Sequence, residues 1–153
     1  MTRTLVFLLV FTCTAALPAS SAAKTADCVV LPDNLVMPAM YRPWVEDLIK
    51  RSSTLYRQCL AIAAADDTIV TVYVGRRTPG DCRARTAFSR ERQGGLRARV
   101  EIPVSADFAE LLAHEFEHVL EQIERKDLRR LAQARISGVR QVARNTFETD
   151  RAL

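Results

Sequence analysis

Glu110-Leu111-Leu112-Ala113-His114-Glu115-Phe116-Glu117-His118-Val119-Leu120-Glu121-Gln122-Ile123 is the stretch on which the reading of this chain turns. Leu112, Phe116, Val119, Leu120 and Ile123 recur at three-to-four spacing, the period of a helix with one apolar face. The only two histidines in the chain both fall inside this run, as His114-Glu115-Phe116-Glu117-His118, an HExxH pattern. Residues i and i+4 share a helix face, so the two imidazoles can converge on one ion. Glu115 is one step on and can reach a water held there. A helix is expected from a cap at Ser105 to about Lys126.

Upstream, Thr68-Ile69-Val70-Thr71-Val72-Tyr73-Val74 is dense in β-branched and aromatic residues and predicts a strand. Pro79-Gly80 marks a turn, Arg83 to Ser89 a second, weaker strand, and Gly94-Gly95 another turn. Leu96 to Ile102 alternates: Leu96, Ala98, Val100 and Ile102 share one face, Arg97, Arg99 and Glu101 the other. The charged face suggests that this third strand lies at the sheet edge. Trp44, Val45, Leu48, Ile49, Leu55, Tyr56, Leu60 and Ile62 predict one amphipathic helix from Trp44 to about Ala64, packed on the inner face of the sheet. Residues 24–43 carry Pro32, Pro38 and Pro43 without periodicity and read as an extended, loosely packed lead-in. Downstream, a break near Asp127 is expected, and then a last helix from Leu128 to the end, with Gly138 as its weak point. The expected fold class is therefore α+β: an N-terminal helix, a small three-stranded antiparallel sheet, the HExxH helix and a C-terminal helix, in one domain over 44–153.

Met1-Thr2-Arg3 gives a positive start, Leu5 to Leu17 is free of charge, and Ala19-Ser20-Ser21-Ala22-Ala23 is small. This is the pattern of a secretory signal peptide over residues 1–23, cleaved after Ala22 or Ala23. The apolar run falls short of the ~20 residues that span a bilayer. The mature chain is expected to be secreted or periplasmic, with no membrane partner after cleavage. It would keep Cys28, Cys59 and Cys82. Three cysteines allow one internal disulfide at most, and Cys28 is the favoured partner.

Composition is that of an ordinary globular chain: 153 residues, 48% hydrophobic and 26% charged, which excludes a low-complexity or wholly disordered protein. The net charge of +4 is too small to argue nucleic-acid or membrane binding. Arg76, Arg77, Arg83, Arg85, Arg90, Arg92, Arg97 and Arg99 cluster against only Asp81 and Glu91 between Gly75 and Arg99. Phe88 alone interleaves an aromatic ring, so a solvated arginine-rich hairpin is expected and no nucleic-acid partner.

A catalytic zinc takes three protein ligands and keeps a position for water. No third histidine exists, so a carboxylate must complete the set. Glu121 lies three residues after His118, but ligands from successive turns of one straight helix fall in a row. Glu148, thirty residues beyond His118, can be brought back to face the histidines.

His114 to His118 with a downstream glutamate resembles the gluzincin clan of zinc metallopeptidases, the small minigluzincins and M48-type catalytic cores in particular. The resemblance covers roughly residues 44–152 in the order of elements. It implies a zincin-like fold whose sheet-edge strand binds peptide, Zn2+ held by His114, His118 and Glu148, Glu115 as general base, and a peptide or protein substrate. The peptide would then add along the Leu96–Ile102 edge. Two departures stand out. Ala152 occupies the position where the family often has an aspartate four residues after the glutamate. No histidine or tyrosine follows the motif to stabilise an oxyanion, which leaves Arg144 or Arg151, for either of which a salt bridge is the favoured role. A catalytically inert metal-binding domain of the same fold and a basic module for acidic polymers are the alternatives.

Overall fold

The computed structural model describes residues 30–75, 83–134 and 138–152. The expected signal peptide, Cys28, Cys82 and the turn expected at Pro79-Gly80 lie outside these residues. The described chain is α+β. Strand β1 is Leu35–Val36, and a 3-10 turn spans Ala39–Tyr41. Helices α1 (Arg42–Arg51) and α2 (Ser53–Ala63) follow, then β2 (Thr68–Val74), β3 (Arg85–Arg90) and β4 (Leu96–Ile102). Helix α3 covers Phe108–Ile123 and α4 Leu128–Gln133, and a hairpin of β5 (Val139–Ala143) and β6 (Thr146–Thr149) comes last.

The sheet corrects the expectation of an antiparallel meander. It has four strands in the order β1-β2-β4-β3; β2 pairs with β4 in parallel, and only β3 runs antiparallel to its neighbour. Leu96–Ile102 is therefore an inner strand, and β3 and the short β1 are the edges. The physical reason is that a charged face reports which side of the sheet meets solvent, whereas edge position is an in-plane property. Arg97, Arg99 and Glu101 lie on the outer face, where Arg99 stacks over the Tyr73 ring at 4.5 Å. The alternate residues Ala98, Val100 and Ile102 face the core with Val70 and Val72.

Four other expectations change. The single helix over 44–64 is two helices, because Ser52 turns extended (φ −117°, ψ 111°) and its hydroxyl caps α2 by accepting from Leu55 N. Residues 31–43 are not a loose lead-in: Leu31, Leu35 and Met37 are buried, and Asn34 Nδ2 donates to Ile62 O at 2.7 Å. The helix expected from Leu128 onward stops after six residues. Gly138 (φ +67°), just before β5, and Asn145 (φ +63°), in the β5–β6 turn, adopt the left-handed backbone. The α3 helix starts at Phe108 after Asp107, so Ser105 is not its capping residue.

Helix α3 is the central element. Phe108, Leu112, Phe116 and Val119 are almost fully buried, in one cluster with Ile49, Leu55, Ile62 and the inner sheet face. Cys59 is buried on α2. Among the described residues no helix is long and apolar enough to cross a membrane.

Candidate metal centre

One face of α3 serves the core and the adjacent face carries the polar cluster, as the helical period requires. The imidazoles of His114 and His118 lie with centroids 4.9 Å apart and planes at 84°. Glu148 arrives from β6, not from the expected helix. Its Oε2 is 3.3 Å from His114 Nε2 and 3.8 Å from His118 Nε2. The three residues each offer a ligand atom within 4.8 Å of the others. Two ligand atoms on a tetrahedral zinc with bonds of ~2.0–2.2 Å lie roughly 3.3–3.6 Å apart; the 3.3 Å spacing meets this and the 3.8 Å spacing slightly exceeds it, and two imidazoles with a carboxylate are a donor set such an ion takes.

The opposite ring nitrogens are engaged, which fixes the rings. His114 Nδ1 donates to the Ala152 carbonyl at 2.7 Å. A carbonyl only accepts, so Nδ1 carries a proton, and Nε2 is the ring nitrogen turned towards Glu148. His118 Nδ1 lies 3.1 Å from Glu121 Oε2, and Glu121 Oε1 accepts from Thr149 Oγ1 at 2.6 Å. Glu121, weighed from sequence as a third ligand, instead orients His118 from behind. Burial opposes its charge, but the bonds from His118 and Thr149 outweigh that and hold its carboxyl below the usual range. Burial also opposes charge on His118, yet the bond to Glu121 and the surrounding carboxylates raise its pKa.

Glu115 is buried, its carboxylate accepting from the Thr86 hydroxyl of β3. Burial pushes its carboxyl above the usual carboxylate range, against the opposing pull of that bond and of the two imidazoles. Glu117, between the histidines in sequence, points away into a donor cage. Gln58 Nε2, Arg57 Nη2 and Arg151 Nε reach it at 2.7, 2.6 and 2.7 Å. These donors outweigh the burial penalty and hold Glu117 low.

Arg151 also donates to Glu124 at 2.6 Å, which holds that carboxyl down at about 2. It is thus a clamp between the Glu148 segment and α3, the salt-bridge role rather than that of an uncommitted cation. Arg144 is exposed on the hairpin turn. Tyr73 is on the outer face of the sheet and does not reach the centre.

Two cavities flank the cluster, of about 540 and 750 Å³. Both are lined by Ala84, Glu115 and Glu148, so they form two arms of one depression on either side of the histidines. The sequence reading did not find Thr86, Thr149, the Ala152 carbonyl or the Glu117 cage. Only Thr149 and Ala152, beside Glu148, carried a positional hint. Comparison of the chain with protein-family models, curated proteins and solved structures gives no match.

Proposed function

We propose that the chain is a zinc-dependent metallopeptidase of zincin type, exported by its N-terminal signal and hydrolysing peptide bonds. One observation carries this reading: both HExxH Nε2 atoms and the Glu148 carboxylate turn inward on one point, while each Nδ1 is held from behind. His114, His118 and Glu148 would be the ligands of Zn2+. When bound, zinc supplies Lewis acidity, which polarises a carbonyl and lowers the pKa of a water towards ~7.

The chain's own residues do the rest. Glu115 takes a proton from the attacking water and returns it to the leaving amine. Thr86 holds the Glu115 carboxylate in place from β3. Since Leu96–Ile102 is an inner strand, it cannot receive a peptide. The free side of β3 is the edge beside the centre: Arg85 to Phe88 border the larger cavity, and Arg83 and Ala84, just before the strand, border the smaller.

The inert metal-binding alternative keeps one supporting observation: Arg151, a candidate to stabilise the oxyanion, is committed to Glu117 and Glu124. The basic-module alternative loses ground. Arg85 and Arg99 pair with Glu101, Arg97 with Glu91, Arg83 with Asp107, and Arg90 donates to Gln122 O. The deciding experiment is metal analysis and peptide digestion with the purified mature protein and its Glu115→Gln variant. Stoichiometric zinc in both, with cleavage only by the parent, is expected. A parent that binds no zinc ends the proposal; zinc without cleavage selects the inert alternative.

A further inference from the structure

The two arms of the depression differ in chemistry. The smaller is walled by Arg57, Arg83, Arg151 and the carboxylates Glu110 and Glu117. The larger runs between β3 and the β5–β6 hairpin and is lined by Phe88, Phe147, Ala87 and the buried Leu128. Its charged wall residues are engaged with other groups. Arg85 binds Glu101, Lys126 pairs with Glu124, Arg129 donates to Asn145 Oδ1, and Asp127 accepts from Arg130 N as the cap of α4. The arginines and Glu117 of the smaller arm are engaged as well, so the difference that remains is that the larger arm alone is lined by phenyl rings, Phe88 and Phe147. Phe88 stands on the same face of β3 as Thr86, two residues on, and so on the side that faces Glu115. It is 36% exposed although it sits on the core side of the sheet.

We infer that the larger arm is a specificity pocket for a bulky apolar or aromatic side chain of the substrate, with Phe88 and Phe147 as its selecting residues. The inference rests on the peptidase reading and also gives the polarity of the bound chain. Antiparallel pairing is the more stable mode of strand addition. A peptide antiparallel to β3 runs from the Phe88 end towards Arg83, so the selected side chain precedes the bond to be cut. Residues after that bond lie over the smaller arm.

The test is digestion of a mixed-sequence peptide library by the zinc-loaded protein, with cleavage sites mapped by mass spectrometry. Phe, Tyr, Leu and Met are expected to be enriched on the N-terminal side of the cut bonds. Phe88→Ala with Phe147→Ala should lower kcat/KM for a Phe-containing peptide relative to its Ala counterpart by at least about tenfold, at unchanged zinc content. Phe88→Leu should restore most of the preference, which separates loss of selection from loss of folding. Absence of enrichment, or enrichment that survives both substitutions, overturns the inference; enrichment after the bond overturns the polarity. A library left uncut rejects the peptidase reading itself. In that event peptide retention by the zinc-loaded Glu115→Gln protein decides the pocket: aromatic peptides retained, and lost with Phe88→Ala, support it, whereas indiscriminate retention overturns it.

Discussion

Replacing Glu121 with Gln is the sharpest probe of the centre, because it separates a ligand from a group that stands behind one. Glu121 Oε2 meets His118 Nδ1 at 3.1 Å, while Glu148 meets the Nε2 side. Gln keeps the size and an acceptor for His118, and its amide can donate to the Thr149 hydroxyl. It removes the charge that makes the imidazole a better donor of its lone pair. Losing such an outer-shell charge typically weakens metal binding ~10–100-fold, or about 1.4–2.8 kcal/mol. Glu148→Gln removes a carboxylate that faces both Nε2 atoms, so its loss should be larger and abolish stoichiometric zinc. The assay is competitive titration of zinc against a chromophoric chelator at neutral pH, with each apo-protein's thermal unfolding as a control for folding. The reasoning is refuted by the reverse order: zinc lost with Glu121→Gln but retained at parental affinity with Glu148→Gln.

Three further outcomes follow from the same geometry. Arg151→Met should destabilise the fold by roughly 1–2 kcal/mol in urea titrations, because Glu117 and Glu124 each lose a charged donor. Glu124 is held at about 2, well below the ordinary carboxylate value, so its pairing contributes above that ordinary value and is lost as pH falls through about 2. The stability gap between parent and variant should accordingly narrow between pH 5 and pH 2; a gap that widens on acidification contradicts the pairing. Gly138→Ala places a methyl 2.9 Å from Asp150 Oδ2 at a backbone angle of φ +67°, and should cost about 1–3 kcal/mol and weaken zinc binding through the hairpin. Adding Asp150→Ala should recover the steric part of that loss, as read from denaturation midpoints. Phe116→Ala, fully buried beneath the histidine face, should cost about 3–5 kcal/mol, and an effect below 1 kcal/mol would mean that the α3 core contact is wrong.

What could be read from the sequence was local. The strands Thr68–Val74 and Leu96–Ile102 and the helix carrying His114 and His118 announce themselves through side-chain period, since each has one face packed and one exposed. Strand partnership is not local. Nothing in β2 states that its neighbour is β4 rather than β3, and a two-residue strand such as Leu35–Val36 is too short to show any period. The break at Ser52 needed a competing hydrogen bond, accepted by its own hydroxyl from Leu55 N, which outweighed a continuous apolar stripe. At the C-terminal end, Glu148 is the residue expected to face the histidines, but it rides on a hairpin. Val139, Val142, Thr146, Phe147 and Thr149 are the β-formers that decide this, with two left-handed residues shaping the ends. The outer partners of the rings were hidden because a main-chain carbonyl and a strand hydroxyl leave no motif.

Residues 148–152 combine several tasks in one short run: Glu148 faces the rings, Thr149 holds Glu121, Arg151 bridges to α3, and the Ala152 carbonyl seats His114. Occupancy of the centre and closure of this hairpin are therefore thermodynamically linked. An ion at a hundred times its dissociation constant would favour the closed hairpin by ~2.7 kcal/mol. Scarcity of the ion would show first as faster amide exchange in β5 and β6, ahead of any change in the sheet.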